Sequence, residues 1–501
     1  MLSNTQNNIY NIYVIKFLAR KVHSSSLFLS FIVGIIFGAI FSLVFRINFF
    51  SSIYWLVFVL ILLAYGFLKP TRFFLIILFI AGGILASFRV AFELKNQAAV
   101  SALVGETVEI SGKVGGDPSL KENMTALKLV YNGAAIYTQV YIPKGVEVRR
   151  GDILTVKGKI SEGFGTYAAA IYRPELLKVS KMENNYLVFT RERFSSSIKN
   201  NLSEDEAGLS LSYLVGLRTG LSEEITEALA VVGLTHIVVA SGTHLSIIVE
   251  FMKKIFGRIS RFSGMFFGIL FILVFAELVG WTASITRAAI VAVLSILAWY
   301  GGRKIEPGRI ILIAMGATLL IDPMNLINLG WLLSFGSFSG ILILSPRLVE
   351  FFYSKKKPGK ITEILIATIS ATIMTAPILL YYFGSLSIIS LIANLLILPT
   401  IPVAMGLTFL TGLSGLAGFL APITVIISKI TAILLEYHLT IIRFFGAQKM
   451  FLISIPKENP LVFLIYIPVF LPLIISEVRK YRARKLAPKK VPVYFNEEAN
   501  N

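Results

Sequence analysis

Long uncharged apolar runs alternate with short polar connections over most of the chain. Runs such as Leu27 to Phe45, Ile53 to Leu68 and Phe73 to Phe88 have the length that a helix needs to cross a lipid bilayer. The pattern continues to Ile475 and predicts about twelve spans in all. The expected fold class is therefore a polytopic α-helical membrane protein.

A different periodicity interrupts this pattern between about Val100 and Met182. Short runs there alternate apolar and polar positions, as in TVEISGKV, TALKLVYN and DILTVKGKI, and turn residues separate them. The dipeptide Asn132-Gly133 between two of these runs is a strong hairpin signal. The alternation predicts a small β-barrel inserted into the membrane protein, of which an oligonucleotide-binding (OB)-like barrel is the favoured type.

These changes of pattern divide the chain into five expected regions. They are a three-span region (1–95), an extracytoplasmic OB-like domain (96–183), amphipathic interfacial helices (184–232), a transmembrane channel domain (233–476) and a basic cytoplasmic tail (477–501). Ser203 followed by Glu206 predicts a capping box in the third region.

The stretch Gly233 to Phe256 is apolar enough to enter a bilayer and yet carries Ser241, Gly242, Thr243 and His244 in a row. Polar side chains in hydrocarbon are costly unless they face a partner or water, so a cavity-lining helix, broken near Gly242, is one interpretation. The alternative is that the hydroxyls bond to carbonyls one turn earlier and that Gly242 only permits close packing. On an ideal helix His236 and His244 do not share one face, so they do not form a metal-ligand stripe.

Composition agrees with a membrane protein, because 55% of the residues are hydrophobic. The chain has no cysteine, which excludes disulfides and thiolate chemistry. A net charge of +19 suits a polyanionic substrate, although cytoplasmic loops of any membrane protein are enriched in lysine and arginine. Basic clusters placed on the inside give an alternating path with both termini in the cytoplasm, at the plasma (inner) membrane.

The expected barrel carries basic residues and tyrosines among its strands. Lys113, Arg149, Arg150 and Lys157 are the candidates for contact with DNA, since basic grooves with aromatic platforms suit single-stranded nucleic acid. Acidic residues in the same stretch leave its net charge small, and strand tyrosines are equally typical of a core or an interface.

Other polar groups lie inside or beside the expected spans. Glu277 and Arg287 sit near the outer ends of successive spans, where a pairing of the two is one possibility, and Asp322 before Pro323 is either functional or the cap of a turn. The prolines Pro377, Pro399 and Pro402 predict kinks whose freed carbonyls need neighbours or water as partners.

Several of these residues fall in motifs that resemble the competence-domain signature of ComEC-type DNA-uptake proteins. The motifs are, in order, GLTHIVVASGTHLSII from Gly233, SITRAAIV from Ser284, GR at Gly302, DP at Asp322 and GWLLSF from Gly330. The resemblance covers about Glu206 to Ile475. Each motif alone is weak, but the set of motifs in this order is specific. Two positions depart from it, since Thr243 and Trp331 stand where an apolar residue and a phenylalanine are usual.

The resemblance implies an inner-membrane channel that passes single-stranded DNA during natural transformation, with the barrel receiving the strand. The pathway positions that it carries over are His236, Ser241, Gly242, Thr243, His244, Arg287, Asp322 and Ser334. It also implies partners, namely an extracytoplasmic DNA receptor, a cytoplasmic ATPase or helicase, single-strand-binding proteins and membrane lipids.

Many relatives carry a C-terminal metallo-hydrolase domain, which this sequence is expected to lack. Four histidines give no clustered metal-ligand motif, and no phosphate-binding G-x-x-x-x-G-K-S/T loop is present. We therefore expect no enzyme activity, no metal and no cofactor.

Two other functions remain open at this point. A secondary transporter or lipid-linked glycan carrier equally predicts broken helices and polar groups at mid-membrane. An intramembrane hydrolase would use Ser241 with His236 or His244 as its base, although the motif shows no acid that would orient the imidazole.

Overall fold

The computed structural model describes most of the chain. The described residues are 21–46, 52, 54–68, 71–121, 124–143, 146, 148–181, 186–216, 220–235, 242–303, 306–353, 358–416, 421–448 and 452–486. Within them, side chains 120–121 and 243 are among a few that are also left undescribed.

Three apolar helices open the fold: α1 (Ser24–Phe45), α2 (Tyr54–Leu68) and α3 (Arg72–Ser101). The backbones of α1 and α3 touch, since a Cβ added to Gly38 would lie 2.5 Å from Cα of Gly83. The Ser42 hydroxyl donates to the Ser87 hydroxyl across this contact, over 2.6 Å. Small residues that let two spans approach are the usual basis of helix packing in lipid, where the hydrophobic effect between helices is absent.

The alternating region folds into a closed five-stranded barrel with two additional strands. The bounds are β1 (Thr107–Val114), β2 (Ser119–Lys121), β3 (Met124–Tyr131), β4 (Ala134–Val140), β5 (Ile153–Glu162), β6 (Ala169–Tyr172) and β7 (Glu175–Ser180). The order β1-β3-β4-β6-β5 closes through a β5–β1 pairing, and only the β4–β6 pairing is parallel. This barrel fits an OB-like fold, as the alternation predicted.

The barrel follows directly from its sequence pattern. Asn132 and Gly133 both have positive φ, which gives the two-residue hairpin turn that this dipeptide favours. Inward positions such as Ile110, Leu129 and Ile136 form a dry core. The end of α3 packs on the same core through Val100, so the barrel is attached to the third helix without a flexible linker.

Three shorter helices follow: α4 (Tyr186–Lys199), α5 (Glu204–Val215) and α6 (Glu223–Val232). The predicted capping box at Ser203 and Glu206 is present. The helix α5 is buried on most sides and packs Leu209 and Tyr213 into a core shared with later helices. The reason is visible in its sequence, where small residues such as Gly208 let neighbouring backbone approach closely.

Eleven helices complete the described fold. They are α7 (Gly242–Phe256), α8 (Arg261–Val279), α9 (Ala283–Tyr300), α10 (Pro307–Ile321), α11 (Leu329–Ser339), α12 (Ser345–Tyr353), α13 (Lys360–Phe383), α14 (Ser390–Ile397), α15 (Ile401–Leu416), α16 (Ala421–Gly446) and α17 (Tyr466–Leu486). Two short strands, β8 (Ser385–Ser387) and β9 (Leu452–Ser454), pair with each other.

The protein is a membrane protein, but the expected count of about twelve spans is not confirmed. Eight helical segments among the described residues are long and apolar enough to cross a bilayer, and three more apolar helices are shorter. The other predicted spans fall on these three shorter helices and on the stretch Gly233 to Phe256, of which 236–241 lie outside the described residues. Two of the eight segments contain a break. The helix α11 passes into α12 through a π-helical turn, Gly340–Leu344, and Pro399 separates α14 from α15. At the latter break the Thr400 hydroxyl donates to the carbonyl of Ile397 over 2.8 Å.

The glycine contact between α1 and α3 provides a matched pair of substitutions. A Cβ on Gly82 would overlap the Phe31 carbonyl oxygen, whereas a Cβ on Gly83 would lie 3.6 Å from the nearest atom. Gly82→Ala should therefore lower the free energy of unfolding by about 1 to 3 kcal/mol, the usual cost of overpacking. Gly83→Ala should leave it unchanged, and thermal unfolding in detergent measures both. Equal effects of the two substitutions would contradict the close backbone contact.

Candidate functional site

The motif around Ser241 lies only partly within the described residues. His236 and Ser241 are outside them, as is the side chain of Thr243. The described part of α7 begins at Gly242, and His244 is 1% exposed. The residues that flank the undescribed stretch 236–241, hereafter the central stretch, are nevertheless well placed to show what surrounds it.

At the C-terminal end of the central stretch, Gly242 contacts Arg287 of α9. A Cβ on Gly242 would lie 3.0 Å from Nη2 of Arg287 and 3.6 Å from Cβ of Ala288. Any side chain larger than hydrogen would therefore crowd the guanidinium. Two motifs that are 45 residues apart in the sequence thus meet in space.

The guanidinium of Arg287 is buried among aromatic rings. Its residue is 6% exposed, and Cζ lies 4.9 Å from the ring centroid of Phe338 and 5.8 Å from that of Phe335. The Nε atom has no hydrogen-bond partner within the described ranges. The rings attract the cation through their π faces but accept no conventional hydrogen bond.

Glu277 and Arg287 do not form the ion pair that the sequence left possible. The Glu277 carboxylate accepts a hydrogen bond from the Trp281 indole over 2.8 Å, one helical turn away in the sequence. Arg287 follows the turn between α8 and α9 and points into the helix packing instead. Spacing along the chain could not show this, because the two side chains leave the turn in different directions.

Ser334 of α11 lies at the same junction of helices. Its hydroxyl is 3.2 Å from the hydroxyl of Ser284, one turn before Arg287 on α9. The neighbouring Phe335 packs on Trp331, whose indole donates to Thr318 over 2.9 Å. This hydrogen bond fixes Trp331 and, through it, one of the two rings that hold Arg287.

At the N-terminal end of the central stretch, Gly233 ends α6 in a left-handed conformation with φ of 76°. A Cβ there would lie 3.1 Å from Cβ of Ser390 and 3.4 Å from Cβ of Ser387. Both serines were missed by the sequence analysis, as was Asn394 one turn later on α14, which is buried. Ser390 and Asn394 are four residues apart and share one face of α14, while Ser387 ends β8 just before that helix, and this spacing was available in the sequence.

Asp322 has a local structural role. It ends α10 and begins the 3₁₀ turn Pro323–Ile327, where its carboxylate accepts from the backbone N–H of Met324 over 2.9 Å. Nearby, Arg89 of α3 donates to the last carbonyls of α10, those of Leu320 and Ile321. Of the two interpretations, the structure supports a turn cap for Asp322.

Arginines attach the barrel to the membrane helices. Arg191 of α4 donates to the Leu278 carbonyl over 3.0 Å and pairs with Asp117 of the barrel at 2.9 Å. Arg150 of the barrel donates to the Glu277 carbonyl, and Arg149 pairs with Glu192 at 2.7 Å. The last carbonyls of α8 thus receive positive charge, which the negative end of a helix dipole favours.

The four basic candidates of the barrel therefore have different roles. Arg149 and Arg150 are engaged within the chain, so their positions do not support a contact with DNA. Lys157 is exposed between Glu109 and Glu175 on the neighbouring strands, while Lys113 is exposed without such neighbours in the strand register.

Aromatic rings form a cluster on the outer face of the barrel. Tyr137 lies 5.1 Å from Phe164, 5.6 Å from Tyr167 and 5.9 Å from Tyr172, measured between ring centroids. Phe164 and Tyr172 are about half exposed, and Lys128 is the cross-strand neighbour of Tyr137. Burial, and then the adjacent Tyr137, raise the pKa of Tyr167. These rings belong to the outer surface, since the barrel core is aliphatic.

Two other features lie away from the central stretch. A cleft of about 430 Å³ between α5 and α16 is lined by Glu206 and Glu436, whose charge would repel phosphate. Within the described ranges no three histidine, aspartate or glutamate side chains are grouped as metal ligands.

Comparisons with known proteins agree with this arrangement of motifs. The sequence model of the family described as Competence protein matches residues 213–480. Similar proteins include the ComE operon protein 3 of Bacillus subtilis (strain 168), 31% identical over 229 residues, and the Competence protein ComA of Neisseria gonorrhoeae, 26% identical over 206 residues. These alignments cover 44% and 39% of this chain and 28% of each relative, so the chain matches less than a third of either relative's length. No solved structure matches the chain.

The attachment of the barrel can be tested through Arg191. Arg191→Gln removes a charged hydrogen bond and an ion pair from a side chain that is 10% exposed, at an expected cost of about 1.5 to 3 kcal/mol in docking. Because the chain has no cysteine, the double substitution Lys113→Cys and Lys254→Cys allows spin labels to be attached at these two positions and nowhere else. The label-to-label distance distribution should broaden in Arg191→Gln. Arg193→Gln is the control, since Arg193 lies over Phe189 of its own helix, and an unchanged distribution in both would contradict the docking role.

Proposed function

This chain belongs to the competence protein family, and we propose that it carries single-stranded DNA across the plasma membrane during natural transformation. In this proposal the chain is a channel and not an enzyme. The family match supports a role in DNA uptake, and the polar groups around the central stretch support a path for a charged polymer.

The observation that carries the proposal is the pair of polar contacts on either side of the central stretch. Arg287 contacts Gly242 at the C-terminal end of this stretch, and Ser284, one turn before Arg287, is bonded to Ser334. Ser387 and Ser390 contact Gly233 at its N-terminal end. Buried polar groups at membrane depth usually face a cavity or a substrate path, because hydrocarbon leaves them unsatisfied. His236, Ser241, Gly242, Thr243 and His244 would then line the path between these two sets.

The barrel would receive the strand on its aromatic cluster. Stacking on aromatic rings tolerates any base, which suits a protein that takes up DNA of many sequences. The attachment of the barrel to the last turn of α8 places it next to the turn that leads into α9 and Arg287. The strand would therefore pass from the barrel toward the junction of α7, α9 and α11.

Other proteins would complete the process. An extracytoplasmic receptor would deliver DNA to the barrel, and both termini of the chain would lie in the cytoplasm. A cytoplasmic ATPase or helicase, together with single-strand-binding proteins, would supply the pulling force.

Transport can be tested with the full chain in lipid vesicles. A labelled oligonucleotide is added outside, and the fraction that becomes protected from external nuclease is measured with a single-strand-binding protein enclosed to trap it. We expect protection of single-stranded DNA and none of a blunt duplex of the same length. Proton or solute flux that is insensitive to added DNA, with no protected oligonucleotide, would instead support a secondary transporter.

Single cysteines can test whether the path is wet. Ser390→Cys and Ser334→Cys should react with a charged, water-soluble thiol reagent in vesicles, and added single-stranded DNA should slow the reaction. Ser370→Cys is the control, because Ser370 is fully buried and donates to the Ile366 carbonyl of its own helix. Reaction rates as low as that of Ser370→Cys at both positions would contradict a hydrated path.

The aromatic cluster gives a separate prediction. Phe164→Ala should weaken binding of a single-stranded oligonucleotide by about 1 to 3 kcal/mol, the usual value of one base stacked on a ring. Tyr141→Ala is the control, since Tyr141 is 57% exposed on the same strand region but lies outside the cluster. Fluorescence anisotropy of a labelled oligonucleotide measures the affinity of both variants. An equal loss of affinity in the two variants would show that the cluster is not part of the binding surface.

A further inference from the structure

Arg287 poses an electrostatic problem for the membrane domain. A charged side chain near the interior of a bilayer costs at least about 2.5 to 3.5 kcal/mol, and such residues normally pair with an opposite charge. Arg287 is 6% exposed, and no acidic side chain pairs with it among the described residues. Glu277, the nearest carboxylate along the chain, is bonded to Trp281.

The surroundings hold the guanidinium in place without neutralising it. Phe335 and Phe338 lie against it, and Nε keeps an unused N–H in the described structure. An arginine fork with free N–H groups matches the oxygens of a phosphate in pairs. The two rings therefore orient the guanidinium but supply no negative charge, so an anion that balances it must come from a bound molecule.

Gly242 makes the guanidinium approachable from the central stretch. A Cβ at this position would lie 3.0 Å from Nη2, so glycine is the residue that keeps the space beside the guanidinium open. A buried arginine with an unused N–H and a residue without a side chain thus lie next to each other.

We propose that Arg287, with Gly242 beside it, binds a phosphodiester group within the membrane domain. The inference rests on the proposed function for the source of that group, which is the backbone of the transported strand. A phospholipid headgroup carries the same chemistry and is the alternative source. Arg287 lies in the second turn of α9, just beyond the turn next to which Arg150 and Arg191 attach the barrel and α4. A strand that leaves the barrel would therefore meet this cation early in its path.

The test compares Arg287→Met and Arg287→Lys with the unchanged full chain in detergent. The probes are a labelled phosphodiester oligonucleotide and a methylphosphonate oligonucleotide of the same sequence, whose backbone is uncharged. Arg287→Met should weaken binding of the first probe about tenfold or more, as expected for loss of a charged hydrogen bond, and leave binding of the second unchanged. Arg287→Lys should retain part of the affinity for the phosphodiester probe.

Thermal unfolding without DNA separates binding from a structural role. Because Arg287→Met removes a buried charge that lacks an acidic partner, its Tm should equal or exceed that of the unchanged chain. Arg309→Met is the control for loss of one positive charge, since Arg309 is partly exposed and pairs with Glu306, and it should bind both probes normally. A lowered Tm with equal loss of both probes would overturn the proposal. Unchanged binding of both probes would overturn it when bound lipid is also unchanged.

Native mass spectrometry of the same variants distinguishes the two sources of phosphodiester. Loss of bound phosphatidylglycerol in Arg287→Met, with oligonucleotide binding unchanged, would support the site with a lipid as its ligand. Nuclease protection in vesicles by the unchanged chain, together with equal oligonucleotide binding and equal lipid retention in Arg287→Met, would overturn this inference and leave the channel function standing. Absence of oligonucleotide binding and protection, with lipid retained only when Arg287 is present, would overturn the channel function alone.

Discussion

Polar atoms inside a bilayer have no water to bond, so each needs a partner within the protein. Most buried hydroxyls in this fold meet that need locally, by donating to a carbonyl three or four residues earlier in their own helix, as Thr318, Ser370, Thr375, Thr411 and Thr431 do. Thr411 and Thr431 also bond to each other across α15 and α16. Such residues are structural, and they show that a hydroxyl in a span is not by itself a sign of function.

Arg287 differs because its charge cannot be satisfied in this way. Ser387 and Asn394 also keep a buried atom without a hydrogen-bond partner in the described residues, but so do Thr408 and Ser195, which do not contact the flanks of the central stretch. Unpaired polar atoms alone therefore do not define the site. The site is distinguished by the combination of a buried cation, the glycine beside it and the second set of small polar residues at Gly233.

The sequence predicted local structure well and long-range contacts poorly, for physical reasons. The barrel strands and the Asn132-Gly133 turn follow from alternation and from positive φ, which are local properties. The span count is not confirmed, because three predicted spans form apolar helices of only 10–17 residues and a fourth contains the undescribed residues 236–241. The Glu277–Arg287 pairing failed because the partners of Arg287 come from α7 and α11, which no spacing within the motif could reveal. The arginines of the barrel show the same limit, since Glu192 and the α8 carbonyls meet them only in the folded chain.

The α8–α9 turn both binds the barrel and leads into the helix that carries Arg287. Its last α8 carbonyls accept from Arg150 and Arg191, and Thr282 then caps α9, which carries Ser284 and Arg287. A change in the angle of the barrel would act on this turn and, through the first two turns of α9, on the position of the guanidinium beside Gly242. Because helices transmit displacement as rigid bodies while packed cores resist it, the short segment from Glu277 to Arg287 is the shortest mechanical route between the outer domain and the buried cation. Recognition of a strand by the barrel and acceptance of its phosphates by the membrane domain would then be linked through the same eleven residues, 277–287.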